Sequence, residues 1–186
     1  SSKQTFGDEG EFTPLGWFVA KGDLDMCTAL LACGAEVDEV DQAGFTPFRM
    51  ACQEGHEHIA LLLINHGSDI HRVTELGSTP LFIACQFDRA GVVALLLDKG
   101  ANIDQANNER CTPLFMACQK GHLKVAALLV DKRAKIDQAK KDGCTPLFIA
   151  CYRGHLKIVA LLLDKGAKID QANNNGSTPL MIACEQ

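Results

Sequence analysis

The dipeptide Thr-Pro recurs at Thr13-Pro14, Thr46-Pro47, Thr79-Pro80, Thr112-Pro113, Thr145-Pro146 and Thr178-Pro179, each pair 33 residues after the one before. A strict period of that length requires a stack of one small structural unit, because a unit so short buries too little apolar surface alone. In a stack each unit touches only its neighbours, which leaves one long exposed surface and no enclosed pocket. Such a shape suits the holding of another macromolecule.

The unit can be read from the same alignment. Thr-Pro is followed by short apolar runs ending in Ala-Cys, as in Leu81-Phe82-Ile83-Ala84-Cys85. Proline at the first position points to a two-turn helix, since the donor it lacks would be unpaired there anyway. Gly55-His56, Gly121-His122 and Gly154-His155 then break the first helix and start a second. That second helix, for instance residues 156–163, carries apolar residues at helical spacing and stops at a glycine such as Gly166, where a left-handed residue is usual. A polar stretch, residues 168–176 in one unit, predicts a protruding hairpin leading to the next Thr-Pro.

In this order and at this period, the Thr-Pro-Leu, Ala, Gly-His, Leu-Leu and Gly-Ala elements resemble ankyrin repeats. The resemblance covers residues 8–186 and implies an all-α solenoid of helix-turn-helix units joined by hairpin loops. The units are 8–40, 41–73, 74–106, 107–139 and 140–172, with a partial one at 173–186 and a tail at 1–7. The family has histidine after Thr-Pro-Leu. Phe82, Phe115 and Phe148 stand there in this chain, with Gly16, Arg49 and Met181 in the other units, so apolar packing is expected to replace the usual polar link. Trp17 aligns with Met50, Ile83, Met116 and Ile149 and is expected to fill the interior of a first unit that caps the stack.

At 47% hydrophobic and 22% charged residues the chain has ordinary globular proportions. No uninterrupted apolar run exceeds six residues, as at 59–64, far short of the roughly 20 that span a bilayer. The amino-terminal segment has no basic-then-apolar secretory character. The sixth unit ends within its first helix, so the chain reads as a fragment whose last unit has no second helix to cover it.

Nine cysteines in a small protein raise the question of disulfides. Cys52, Cys85, Cys118, Cys151 and Cys184 occupy one repeat position, where the family usually has alanine. Stacked units lie roughly 10 Å apart, beyond the roughly 7 Å that a disulfide tolerates between Cα atoms. The ladder is therefore expected to be reduced and buried, with cysteine acting as a small hydrophobe, in a reducing compartment such as the cytosol or nucleus. Cys111 and Cys144 sit at hairpin exits and are expected to be exposed. No Cys-x-x-Cys pair exists, and neither metal nor cofactor is expected.

His56, His122 and His155 fall where second helices begin and are expected to cap or pack those ends. His56-Glu57-His58 lacks the second histidine four residues on that a zinc-protease helix needs, since position 60 is Ala60. No Gly-x-Ser-x-Gly elbow, Walker loop or dinucleotide-binding glycine pattern is present, so catalysis is not expected. Asp104, Asp137 and Asp170 recur at one hairpin position and read as turn-forming side chains.

Charge reverses along the chain. Residues 1–93 carry 5 Lys+Arg against 14 Asp+Glu, net −9, whereas residues 94–186 carry 13 against 9, net +4. The two ends could steer different parts of a partner, or duplication copied Lys99, Lys132 and Lys165 onto a solvated face. Nucleic acid is the weaker candidate, because no arginine-rich stripe is interleaved with aromatics.

The resemblance implies recognition on the hairpin tips and the exposed side of the first helix. Position by position, that face comprises Gln42, Ala43, Phe45, Gln53 and Glu54, then Glu75, Leu76, Ser78, Gln86 and Phe87. Asn108, Glu109, Cys111, Gln119 and Lys120 follow, with Lys141, Asp142, Cys144, Tyr152 and Arg153 in the fifth unit. The units starting at Asn107 and Lys140 agree at 22 of 33 positions, and six of their 11 differences fall at the first four positions and the two before Gly-His. The scaffold has been copied while this face diverged. Phe45, Phe87 and Tyr152 are the candidate anchors, aromatics being enriched among residues that dominate binding energy. The expected function is a non-catalytic, monomeric module binding a protein or peptide on its concave face, within a longer signalling or scaffolding protein. The alternative is a regulatory module that captures an anionic metabolite or nucleotide through its basic half.

Overall fold

The computed structural model describes residues 12–184. Eleven helices and no strand occur among them, in the order α1 Pro14–Lys21, α2 Leu24–Ala32, α3 Pro47–Glu54, α4 Glu57–Asn65, α5 Pro80–Gln86, α6 Ala90–Asp98, α7 Pro113–Lys120, α8 Leu123–Asp131, α9 Pro146–Tyr152, α10 Leu156–Asp164 and α11 Pro179–Cys184. Odd-numbered helices are the first of each unit and even-numbered helices the second.

The Thr-Pro signature is a helix start written in two residues. Thr13, Thr46, Thr79, Thr112 and Thr145 are N-caps whose hydroxyl oxygens accept from the amide three residues on, at 3.1 Å in each case. The proline that follows takes the first helical position with its φ already set. Each first helix then buries an adjoining set of residues. Leu81, Ala84 and Cys85 are almost wholly enclosed, as are Leu114, Ala117 and Cys118. Second helices contribute pairs four residues apart, Ile59 with Leu63, Val92 with Leu96, Val125 with Leu129 and Ile158 with Leu162, which share one helical face. The result is one continuous core running through the stack. First helices pack against one another more closely than second helices do, so the first-helix side is the inner one.

Phe82, Phe115 and Phe148 are buried, as expected of apolar packing at the family's histidine position. Cys52, Cys85, Cys118 and Cys151 lie in the core, while Cys184 is exposed because no helix covers that side of α11 among the described residues. Burial pushes the thiols of Cys52, Cys85 and Cys118 far above their ordinary range and that of Cys27 up to about 11.

The hairpin loops between units are tight turns, each closed by two backbone bonds, such as the Asp41 amide to the Phe45 carbonyl at 3.0 Å. Three expectations change. His56, His122 and His155 stand at the N-cap positions of α4, α8 and α10, yet no side-chain cap bond is made there. The rings of His122 and His155 reach instead to the preceding unit, with Nε2 3.0 Å from the Gln86 carbonyl and 3.3 Å from that of Gln119. Arg89 fills the same place in its own unit and donates from Nε to the Gln53 carbonyl at 2.7 Å. Asp104 and Asp137 likewise act between units, accepting from the amides of Lys135 at 2.8 Å and Lys168 at 3.1 Å. Trp17 is half-buried rather than interior. Its ring meets Phe12 edge-on at 5.9 Å, and the Lys21 ammonium sits 4.8 Å from its centre. The tail at 1–7 lies outside the described residues.

Candidate functional site

The inner surface is assembled from the loops and the exposed sides of the first helices. The loops at Asp41, Thr74, Asn107 and Asn173 open with a side chain that accepts hydrogen bonds and folds the chain back on itself, whereas in the loop that opens with Lys140 the acceptor is Asp142, bonded by the Cys144 amide at 3.0 Å. Asp41 accepts from the Phe45 amide at 2.8 Å, Thr74 from the Ser78 amide at 3.1 Å, and Asn107 from the amides of Glu109 and Cys111 at 3.0 Å each. The fourth loop residue has positive φ, 75° at Gly77 and 82° at Gly143, which explains glycine there and marks Arg110, at 58°, as the exception.

Neighbouring loops are joined side to side. The Asn108 amide donates to the Leu76 carbonyl at 3.0 Å, the Lys141 amide to Glu109 at 3.2 Å and the Asn174 amide to Asp142 at 2.9 Å. Side-chain amides of Asn108 and Asn174 add bonds to Glu75 and Lys141. Among the described residues no such backbone bond joins the Asp41 loop to the Thr74 loop. A groove of about 360 Å³ opens between them, bordered by Ala43, Phe45, Arg49, Glu75, Leu76 and Gln86.

Glu54, Phe87, Lys120, Lys141, Tyr152 and Arg153 are exposed, with Phe87 at 38% and Tyr152 at 52%. Arg153 lies over the edge of this row, its guanidinium 5.7 Å from the centre of the Tyr152 ring. Gln53, Gln86 and Gln119 are half-buried, and their carbonyls anchor the next unit through Arg89, His122 and His155. Phe45 is also half-buried, because the Arg49 guanidinium covers its ring. Cys144 is half-buried as well. Cys111 is a correction: it is 4% exposed, tucked under its own loop, and burial pushes its thiol up to about 12. A side chain so enclosed offers a partner no contact.

Four of the 13 basic side chains of residues 94–186 are paired with carboxylates among the described residues. Lys132 pairs with Asp98 and Lys165 with Asp131 at 3.0 Å on the outer side, and Lys141 pairs with Glu109 at 3.3 Å. These are exposed pairs of small energetic worth. They nonetheless reduce the positive field that a captured polyanion would need. Among the described residues, no group of three or more His, Cys, Asp or Glu stands close enough to share a metal ion.

Two residues matter more than sequence reasoning indicated. Arg89 takes the histidine's place between units, a role visible only once residues 36 apart are seen in contact. Arg49 lines the groove between the second and third loops. Its signal in the sequence is a lone charge in a column that otherwise reads Gly16, Phe82, Phe115, Phe148 and Met181.

The family model describing ankyrin repeats in three copies matches residues 2–74, 67–140 and 133–186. A search of curated proteins finds no match to the chain. No helix among the described residues is long and apolar enough to cross a membrane. The capped helix pairs, their unit-to-unit stacking and this match over nearly the whole chain together place it in the ankyrin-repeat family.

Proposed function

We propose that this chain is a non-catalytic interaction module that binds a protein or an extended peptide along its inner, first-helix side. One observation carries this reading. Glu54, Phe87, Lys120 and Arg153, at equivalent positions of successive units, are exposed in a row, with Tyr152 beside them, although the packed residues beneath them repeat almost unchanged. A stack whose interior is copied and whose one face varies is built to present that face. Exposed aromatics at Phe87 and Tyr152 supply large contact area at low conformational cost. All nine cysteines are free thiols, six of them buried, which fits work in a reducing compartment such as the cytosol or nucleus. The internal pairing of Lys132, Lys141 and Lys165 weighs against capture of an anionic metabolite by the basic half.

Selection of random-peptide display libraries on the purified chain tests this reading, alongside a thermal-shift screen of nucleotides and phosphorylated metabolites. Enriched peptides whose binding is weakened by Phe87→Ala or Tyr152→Ala support it. Stabilisation by a nucleotide with no peptide enriched would favour the metabolite alternative, a ligand at 100 times its Kd adding about 2.7 kcal/mol.

A further inference from the structure

Among the described residues, no carboxylate forms an ion pair with the Arg49 guanidinium. Its Nε and Nη1 are enclosed, yet neither makes a hydrogen bond among the described residues. Asp41, the buried carboxylate close enough to influence it, is engaged by the Phe45 amide at 2.8 Å. The desolvation that lowers the Arg49 pKa therefore goes largely uncompensated. Buried donors without acceptors are rare in folded proteins and mark places where something else supplies the acceptor.

Arg49 also lies where a ligand group can arrive. It borders both the open groove and an adjoining chamber of about 40 Å³ that Arg72, Thr46, Thr74 and Ser78 help to line. That chamber has room for about three water-sized oxygens at roughly 10–15 Å³ each, the scale of a carboxylate rather than of a metabolite. The charges agree: Arg49 and Arg72 are offset by Asp41 nearby and Glu75 on the groove wall. A near-neutral set of this kind has no surplus positive charge with which to compensate a phosphate dianion or polyphosphate, whereas one carboxylate needs only one guanidinium. Guanidinium presents its donors in a planar fork that matches a carboxylate.

Building on the proposed peptide-binding role, we infer that the groove between the second and third loops is a specificity pocket for one acidic side chain, Asp or Glu, of the bound peptide, paired by Arg49. The surrounding amino-terminal half is acidic, at net −9 over residues 1–93, so residues flanking that carboxylate should be neutral or basic. The recognised signature is a single acid in an otherwise non-acidic segment, with Phe45 packing along its stem.

Peptides selected on the wild-type chain test this. A fixed Asp or Glu should recur among them, and its replacement by Asn or Gln should weaken binding about 10-fold or more, as for a charge-assisted hydrogen bond lost from a buried site. Arg49→Phe, which installs the residue of the neighbouring units, should weaken the same peptides equally, and the two changes together should cost no more than either alone. Arg72→Ala, on an exposed loop, should give a smaller loss in the same direction. Peptides that depend on Phe87 and Tyr152 but need no acid, or that bind Arg49→Phe normally, would overturn the pocket and leave the interaction face standing. If no peptide is enriched, or binding maps to the second helices, the proposed function fails and the pocket falls with it. Stabilisation of wild type but not Arg49→Phe by inorganic phosphate, with no acid required in the peptides, would make this a free-anion site and overturn the peptide assignment.

Discussion

The guanidinium carbon of Arg49 lies 3.3 Å from the centre of the Phe45 ring, so an arginine roofs the aromatic that begins the second unit's recognition row. The stacking leaves two enclosed nitrogens without acceptors. In the free chain Arg49→Phe should therefore stabilise, by about 1–3 kcal/mol, since an unsatisfied buried donor is replaced by apolar packing already used at Phe82, Phe115 and Phe148. Denaturant unfolding of the two proteins checks this. A less stable variant would mean that the stacking on Phe45 outweighs the orphaned donors.

Arg133 has φ of 69° at the position where Gly34, Gly67, Gly100 and Gly166 end their second helices. A side chain in that left-handed region costs about 1 kcal/mol that glycine does not. Arg133→Gly should raise the melting temperature accordingly, since the arginine side chain is exposed. An unchanged or lower value would show that the glycine's greater freedom in the unfolded chain cancels the relieved strain.

Thiol accessibility follows burial rather than loop position. Cys33 and Cys184 should react first with a thiol reagent on the folded chain, Cys144 more slowly, and Cys27, Cys52, Cys85, Cys111, Cys118 and Cys151 only on unfolding. Mass mapping after brief labelling decides it, and early modification of Cys111 would contradict its placement.

The same burial makes stability depend on alkaline pH. Cys52, Cys85 and Cys118 titrate far above their ordinary value of 9.0 when folded, so their contribution is complete below about pH 9 and is lost as pH rises beyond it toward the folded values. Each thiol should cost about 1.4 kcal/mol per pH unit in that window. Replacing all three by alanine should flatten the loss measured between pH 8 and 10. Parallel curves for wild type and variant would show that other groups set the alkaline limit.

The unit was legible because its signals are local: a threonine cap and proline start a helix within two residues, and apolar spacing fixes the buried face of residues such as Ile158 and Leu162. Contacts between units were not, since His122 and Gln86 meet across 36 residues and nothing near either announces the other. Cys111 was misplaced for a related reason. Its position at a loop exit is polar in character, but the turn folds its side chain under Thr112, where its thiol donates weakly to the Thr112 carbonyl at 3.9 Å. Arg49 was visible as an exception in its column. Its unpaired nitrogens depend on the groove between two loops, which no single unit encodes.

Raising ionic strength should slow association more than it speeds dissociation, because the charges of Glu54, Lys120 and Arg153 are exposed and steer encounter. Stopped-flow measurement across a salt series separates the two rates. A dominant effect on dissociation would place charge pairs within the dry part of the interface.

The central claim is that the inner, first-helix side holds the partner, and the affinity of selected peptides for two sets of variants tests it most directly. Phe87→Ala and Tyr152→Ala should each weaken binding by about 1–3 kcal/mol while leaving the melting temperature nearly unchanged, since both side chains are exposed. Lys132→Glu with Lys165→Glu, at the outer ends of α8 and α10, should leave affinity unaltered. Normal binding by both alanine variants, with loss of binding on the outer charge reversals, would contradict the account and put the partner on the second-helix side.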